Sequence, residues 1–401
     1  MTSLWNRRAL LPLCSGRSLS QIKSPSMLEA LKTPPCNRPM PLTVTWLPAH
    51  PAEGSHSMDR YWRELSAQSK PFIERGELRA FCPLDTPPRL SSRASRFSRA
   101  WNKYAAYPLR CHGLPPSDVT HLLDHSFAGL LSRLRNRSAV VATLHDLAPL
   151  RDPGTLTRAQ LSRFRTTCLH LSQADLVVCD STSSAEDALE FLKIPEEKLS
   201  VLLLGVDFET FARPVEPLTL PEVAKDTFRV LSVGSSLPRK NLQSLAPVLL
   251  GLQRRGVRAS LLRAGSSLPE QLREQLGRIL GHDHLFEFGG LTDELLVRLY
   301  QSSDVFFMPS FIEGFGLPIL EAMAAGCPVV SSNACSLPEV AGDAALLFDP
   351  ARPEGAVNHL HRLVVDSRAR SELRNKGVLR ARSLSWERHF HGLLELYRAL
   401  S

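Results

Sequence analysis

From Leu42 onward the chain alternates short apolar runs, rich in β-branched residues, with longer stretches whose apolar positions recur every three or four residues. The runs "LTVTWLPAH", "AVVATLH", "DLVVCD", "FRVLSVG", "DVFFMPS" and "CPVVSS" read as strands. Ser184 to Leu192, Glu270 to Leu280 and Glu294 to Gln301 read as the helices between them. Strands alternating with helices predict βαβ units around a parallel sheet, so the fold class is α/β. The last stretch, "SLSWERHFHGLLELYRAL", predicts one amphipathic helix with Trp386, Phe390, Leu393, Leu394 and Tyr397 on one side. Residues 384–401 are expected to pack back on the first half of the chain.

The pattern breaks once. "RPVEPLTLPEVAK", Arg213 to Lys225, holds three prolines, and such a run neither continues a helix nor pairs as an inner strand. It predicts a linker at 213–225 between an N-terminal domain at 41–212 and a C-terminal domain at 226–383. A length of 401 residues with 43% hydrophobic content agrees with two cores and a cleft between them.

Residues 1–40 carry six basic residues against Glu29, with no regular pattern, and are expected to be a disordered basic leader or a mis-set start, with Met27 and Met40 as alternative beginnings. The net charge of +8 lies wholly in the first half: residues 1–200 hold 26 Lys+Arg against 18 Asp+Glu, and residues 201–401 hold 22 of each. A basic surface meets nucleic acid, an anionic membrane or a phosphorylated substrate equally well, or merely keeps the protein solvated. Nucleic-acid binding has no support beyond this charge and is not expected. No run approaches the ~20 apolar residues of a spanning helix. Eight scattered cysteines without a C-x-x-C pair argue against zinc ribbons and a disulfide framework, and fit a reducing cytoplasm.

The chemistry gathers in "PSFIEGFGLPILEAMAAGCP", Pro309 to Pro328. Pro318 suits a first helical turn, and Gly326 followed by Pro328 marks the stop. Gly314 and Gly316 leave no Cβ before the helix start, so backbone N–H groups there suit an anionic diphosphate. Glu313 precedes the loop and Glu321 lies about one turn inside the helix, so two carboxylates flank the phosphate site and accept hydrogen bonds from hydroxyls. A glycine turn into an ordinary core helix is the alternative on spacing alone. A second element, "VGSSLPRKN", Val233 to Asn241, places Gly234 at a strand end and presents Arg239 and Lys240, two cations suited to a leaving diphosphate. "VVATLHDLAPL" sets His145 and Asp146 directly after a strand, where α/β proteins place ligand contacts.

These segments resemble family 4 of the retaining glycosyltransferases, of the group 1 type, through its E-x7-E element and its P-R-K-N signature. The resemblance implies the GT-B fold: two facing Rossmann-like domains, a parallel sheet in each, and an interdomain cleft. It implies that Glu313 contacts the donor sugar, that Glu321 holds the ribose, and that Gly314, Phe315, Gly316 and Leu317 bind the diphosphate. Arg239 and Lys240 then grip the pyrophosphate; members often carry a further Arg after the glycine, where this chain has Ser235 and Ser236. His145 is assigned to the sugar or the acceptor path, and Asp146 to orienting it. Gly54, in "AEGSHSMDRYW", is similar to the family's glycine loop near the acceptor.

The expected function is transfer of a hexosyl, mannosyl-like unit from a nucleotide diphosphate sugar to a glycan or lipid-linked acceptor in cell-surface polysaccharide synthesis. The alternatives are a non-catalytic nucleotide-sugar-binding homologue or a GT-B sugar epimerase. No D-x-D triplet is present to hold a metal on the donor, so no metal or other cofactor is expected. His282–His284, His359/His361 and His389/His391 lack partners at ligand spacing and are read as ordinary surface or core histidines. The protein is expected to be cytoplasmic and peripheral at the inner membrane face, in reversible contact with anionic lipid.

Overall fold

The computed structural model describes residues 40–49, 56–83, 101, 106–112, 115–134, 139–216, 218 and 227–401. The leader to residue 39, Gly54 and linker residues 219–225 lie outside the described residues.

Two six-stranded sheets, parallel throughout, carry the two halves. The first contains β1 (Leu42–Leu47), β2 (Leu78–Phe81), β3 (Val119–Leu122), β4 (Ala139–Leu144), β5 (Leu176–Cys179) and β6 (Leu199–Val201), in the order β2-β1-β3-β4-β5-β6. The second contains β7 (Phe228–Gly234), β8 (Ala259–Gly265), β9 (Leu285–Phe288), β10 (Val305–Met308), β11 (Val329–Ser332) and β12 (Leu346–Phe348), in the order β12-β11-β10-β7-β8-β9. The inner strands are buried almost end to end, as helices on both faces of a parallel sheet require, and the edge strands β2, β9 and β12 only in part. In the second sheet the strand order reverses between β7 and β10, and the crevice outside their carboxyl ends is where such sheets bind ligands.

Six helices matter for the site. They are α1 (His56–Glu74), α2 (Thr182–Leu192), α3 (Asp293–Gln301), α4 (Leu317–Ala324), α5 (Ser367–Ser383) and α6 (Trp386–Leu400). Two begin earlier than periodicity alone places them because a hydroxyl caps each: Ser181 accepts from the Ser184 N–H, and Thr292 from the Leu295 N–H. The single C-terminal amphipathic helix expected from the pattern is present, from Trp386 to Leu400, with Trp386, Phe390, Leu393, Leu394 and Tyr397 buried. Helix α5 ends at Ser383, and Ser385, extended and bridged to Val206, caps α6 by accepting from the Arg388 N–H. Helix α4 stops as its glycine demands: Gly326 has φ +72°, and Cys327 N–H closes on the Ala322 carbonyl at 2.8 Å.

Helix α6 returns from the second half and lies against α1 and the first sheet. A buried polar chain joins them, from Trp46 Nε1 donating to Tyr397 Oη (3.2 Å), through His121 between Tyr397 and Thr143, to Tyr61 Oη beside Thr143 and His389 Nε2 (both 3.3 Å). Arg213, where the linker is expected to begin, meets α3: Gln301 Nε2 donates to its carbonyl at 2.8 Å.

Candidate active site

Residues from the ends of β7 and β10 meet at the crevice of the second sheet. After β7, Gly234 takes φ +129°, a conformation open to glycine, and the chain enters a short turn at Pro238–Lys240. Asn241 then adopts a left-handed φ of +52°, and its buried amide donates to the carbonyls of Pro309 (3.1 Å) and Pro350 (3.3 Å). That side chain pins the basic turn to the loop after β10. The two loops are joined again where Phe311 N–H meets the Arg239 carbonyl at 2.8 Å and Arg239 Nη1 donates to the Ile312 carbonyl at 3.1 Å.

Glu313 sits between them, 8% exposed. Lys240 Nζ donates to its Oε1 at 2.5 Å, Ser310 Oγ donates to the same oxygen at 2.7 Å, and Arg239 Nη1 stands 3.6 Å from Oε2. A buried carboxylate under two cations leaves a net positive face toward the crevice, suited to a diphosphate. The Ser336 hydroxyl donates to the Glu313 and Phe315 carbonyls at 3.0 and 2.9 Å, and this shapes the loop that leads into Gly316, at φ +106°, Leu317 and α4.

Glu321, on α4, is 5% exposed and accepts from Tyr300 Oη at 3.0 Å. Its other oxygen is taken by Arg60 of α1, which also bonds Asp293. Burial pushes the Glu321 carboxyl above the ordinary carboxylate range, opposed by Arg60 and the Tyr300 hydroxyl. Tyr300 lies on a helix read only as scaffold, Asp293 at its unread start, and Arg60 in the "AEGSHSMDRYW" segment read for Gly54 alone, so no local motif announced these three side chains.

The facing half supplies His145 at the end of β4, buried with both ring nitrogens engaged. Nδ1 bonds Asp180 Oδ2 at 2.6 Å and Nε2 bonds the Leu123 carbonyl at 2.8 Å. Burial opposes the imidazolium, but the Asp180 carboxylate and its hydrogen bond, with Asp124 and the Leu123 carbonyl, push His145 up to about 9. The expectation that Asp146 orients His145 is corrected. Its carboxylate bonds the Ala148 N–H at 3.0 Å, and Asp180 at the end of β5 holds the ring, because side chains at adjacent strand ends of a parallel sheet face one another.

The two halves touch where Gly314 meets His145. A Cβ on Gly314 would lie 2.3 Å from the His145 carbonyl oxygen and 2.8 Å from Asp146 Cβ, so this glycine is required by close approach. The Ser181 hydroxyl donates to the Gly314 carbonyl at 2.7 Å, and Thr182 donates N–H and hydroxyl to Glu339 at 2.8 and 2.7 Å. Glu313, Gly314 and His145 are thus brought together, while Asp146 stands against Gly314 with its carboxylate turned to its own chain. Among the other histidines, His284 Nδ1 bonds Ser260 Oγ at 3.1 Å and His359 Nε2 the Leu347 carbonyl at 3.0 Å.

A family model described as "Glycosyl transferases group 1" matches residues 221–380, and one described as "Glycosyltransferase Family 4" matches residues 62–210. "O-antigen chain mannosyltransferase B" of Escherichia coli is 31% identical over 269 residues, covering 65% of this chain and 70% of its own. "Serotype-specific mannosyltransferase WbdA" of Escherichia coli is 29% identical over 274 residues, and there the chain spans 33% of the relative's length. In fold, the chain is similar to Anabaena HepE, solved in complex with UDP and glucose, with a TM-score of 0.65 at 15% identity over 90% of this chain and 100% of that one.

Proposed function

Belonging to the group 1, family 4 glycosyltransferases, this GT-B chain is a glycosyltransferase, and we propose that it moves a hexosyl, mannosyl-like unit from a nucleotide diphosphate sugar to a glycan or lipid-linked acceptor in cell-surface polysaccharide synthesis. The observation that carries the reading is the convergence of Arg239 and Lys240 on Glu313 at the strand-order switch of the second sheet. The cations take the diphosphate, with the N-terminus of α4 behind the glycine loop as a further source of positive potential. Glu313 faces the sugar and Glu321 the ribose once Arg60 yields its oxygen. In this reading the leaving phosphate oxygen takes the acceptor's proton on the face it departs from, so anomeric configuration is retained, and the two cations do the work a metal does elsewhere.

Purified protein challenged with a panel of nucleotide sugars should show a thermal-shift response to one donor class, and the anomeric proton of the product should report retention. A donor that binds but is neither hydrolysed nor transferred would favour the non-catalytic homologue instead.

The acceptor side supports an anionic target: residues 1–150 hold 20 Lys+Arg against 10 Asp+Glu. No described helix is long and apolar enough to cross a membrane. Reversible attachment to an anionic leaflet, at about 1 kcal/mol per well-placed basic residue, fits this charge. Co-sedimentation with liposomes of graded anionic content should be seen at low salt and lost at high salt. Failure to bind mostly anionic vesicles at low salt points to a soluble acceptor.

A further inference from the structure

One charge behind the donor loop lacks a counter-ion. Arg263, on β8 opposite Ser232 of β7, is 1% exposed. Its guanidinium runs to the carboxyl end of the two strands, where Nη2 donates to the carbonyls of Gly234 (2.6 Å) and Ser235 (3.1 Å) and Nη1 to Ser232 Oγ (3.3 Å). Nε has no partner. Among the described residues no carboxylate lies within ion-pair distance of it. Glu287 favours the charge from further off, but its oxygens are bonded by the Leu268 N–H at 2.7 Å and Arg273 Nε at 2.6 Å. Burial pulls Arg263 down to about 10, which leaves it a cation at neutral pH.

A buried, unpaired guanidinium opposes folding unless something compensates it. The two carbonyls compensate part of the charge, and both belong to the loop that leads to Arg239 and Lys240. Peptides are trans, so turning the Gly234 and Ser235 carbonyls onto the guanidinium turns the N–H groups of Ser235 and Ser236 the opposite way. The open space beside Gly234, where an added Cβ would meet nothing within 4 Å, is where those amides can meet a ligand.

We propose that Arg263 is a positioning residue for the donor diphosphate: it orients the Gly234–Ser235 peptides so that their following amides bind phosphate oxygens, and its own charge is compensated when that anion arrives. The inference rests on the donor site lying at β7 and β10, as proposed above.

The test is titration calorimetry of the full chain with UDP, GDP and ADP and the matching nucleosides. In Arg263→Met, affinity for the diphosphate that binds wild type should fall at least about tenfold, with nucleoside affinity unchanged. Arg263→Lys should bind it near neutral pH and lose affinity, relative to wild type, as pH rises from about 7 toward about 9, because a lysine buried there sheds its proton at lower pH than the arginine does. A purely structural role predicts no such pH split. Unchanged diphosphate affinity in Arg263→Met, or a loss shared equally by the nucleoside, overturns the proposal. Should Arg263→Met not fold, an Arg263→Lys variant that tracks wild type across the pH range overturns it. If wild type binds none of the diphosphates, it is the donor-site reading that fails.

Discussion

Glu313 is held by Lys240, Arg239 and Ser310 in a site where charge, not bulk, is the functional property. Glu313→Gln keeps the shape and the Ser310 contact but removes the charge beside the reacting sugar. It should lower kcat by at least about a hundredfold with little change in unfolding midpoint, and full turnover would remove Glu313 from the chemistry. Lys240→Ala should weaken nucleoside diphosphate binding in the same titration. At His145 the geometry makes a pH claim. The protonated ring is stabilised by Asp180, so its contribution to stability is fully present below about pH 6.5 and is lost as pH rises through about 9. Thermal midpoints of wild type should fall across that window, and Asp180→Asn should flatten the dependence; a parallel fall in both would show that another group is responsible.

Helix α1 links the two halves because consecutive residues on it face different partners. Arg60 reaches Glu321 and Asp293 in the second half, and Tyr61 enters the polar chain beneath α6. Arg60→Met leaves Glu321 buried and unpaired and should cost about 3–5 kcal/mol, read as a lowered denaturation midpoint. Helix α6 adds an acid sensitivity. Burial pulls His121 down to about 3 and His389 to about 4, so both fold as neutral rings. The unfolded chain binds those protons below about pH 6.5, so stability falls as pH drops from there toward 4. His389→Gln should lessen the acid loss, seen by near-ultraviolet circular dichroism of Trp386 and Tyr397.

At the scale of the whole molecule, the contact of Gly314 with His145 sets how closely the halves approach. Gly314→Ala puts a methyl on a backbone oxygen that cannot yield locally, so the halves must separate. X-ray scattering should show a larger radius of gyration, and kcat/KM should fall at least about tenfold, since small displacements at a reacting centre are costly. Unchanged dimensions and activity would mean that the working state is more open than this one. The proposal that cations stand in for a metal predicts turnover in EDTA; loss restored by magnesium or manganese would refute it.

Much of this was legible along the chain because it is local. Alternating strand and helix periods specify the parallel sheets, and Gly316, Pro318, Gly326 and Pro328 punctuate one loop and one helix through their own backbone limits. The E-x7-E spacing and the Arg239–Lys240 turn were likewise legible, being short segments after single strands. What tertiary structure decided is everything that joins distant segments. Asp180 rather than Asp146 meets His145 because β4 and β5 are neighbours in the sheet; Arg60 reaches Glu321 across 261 positions of chain; and Arg263, one residue of an ordinary apolar strand, gains its place only when β8 pairs with β7. Helix and strand periods are properties of a segment, whereas the partner of a buried charge is set by which segments the fold packs together.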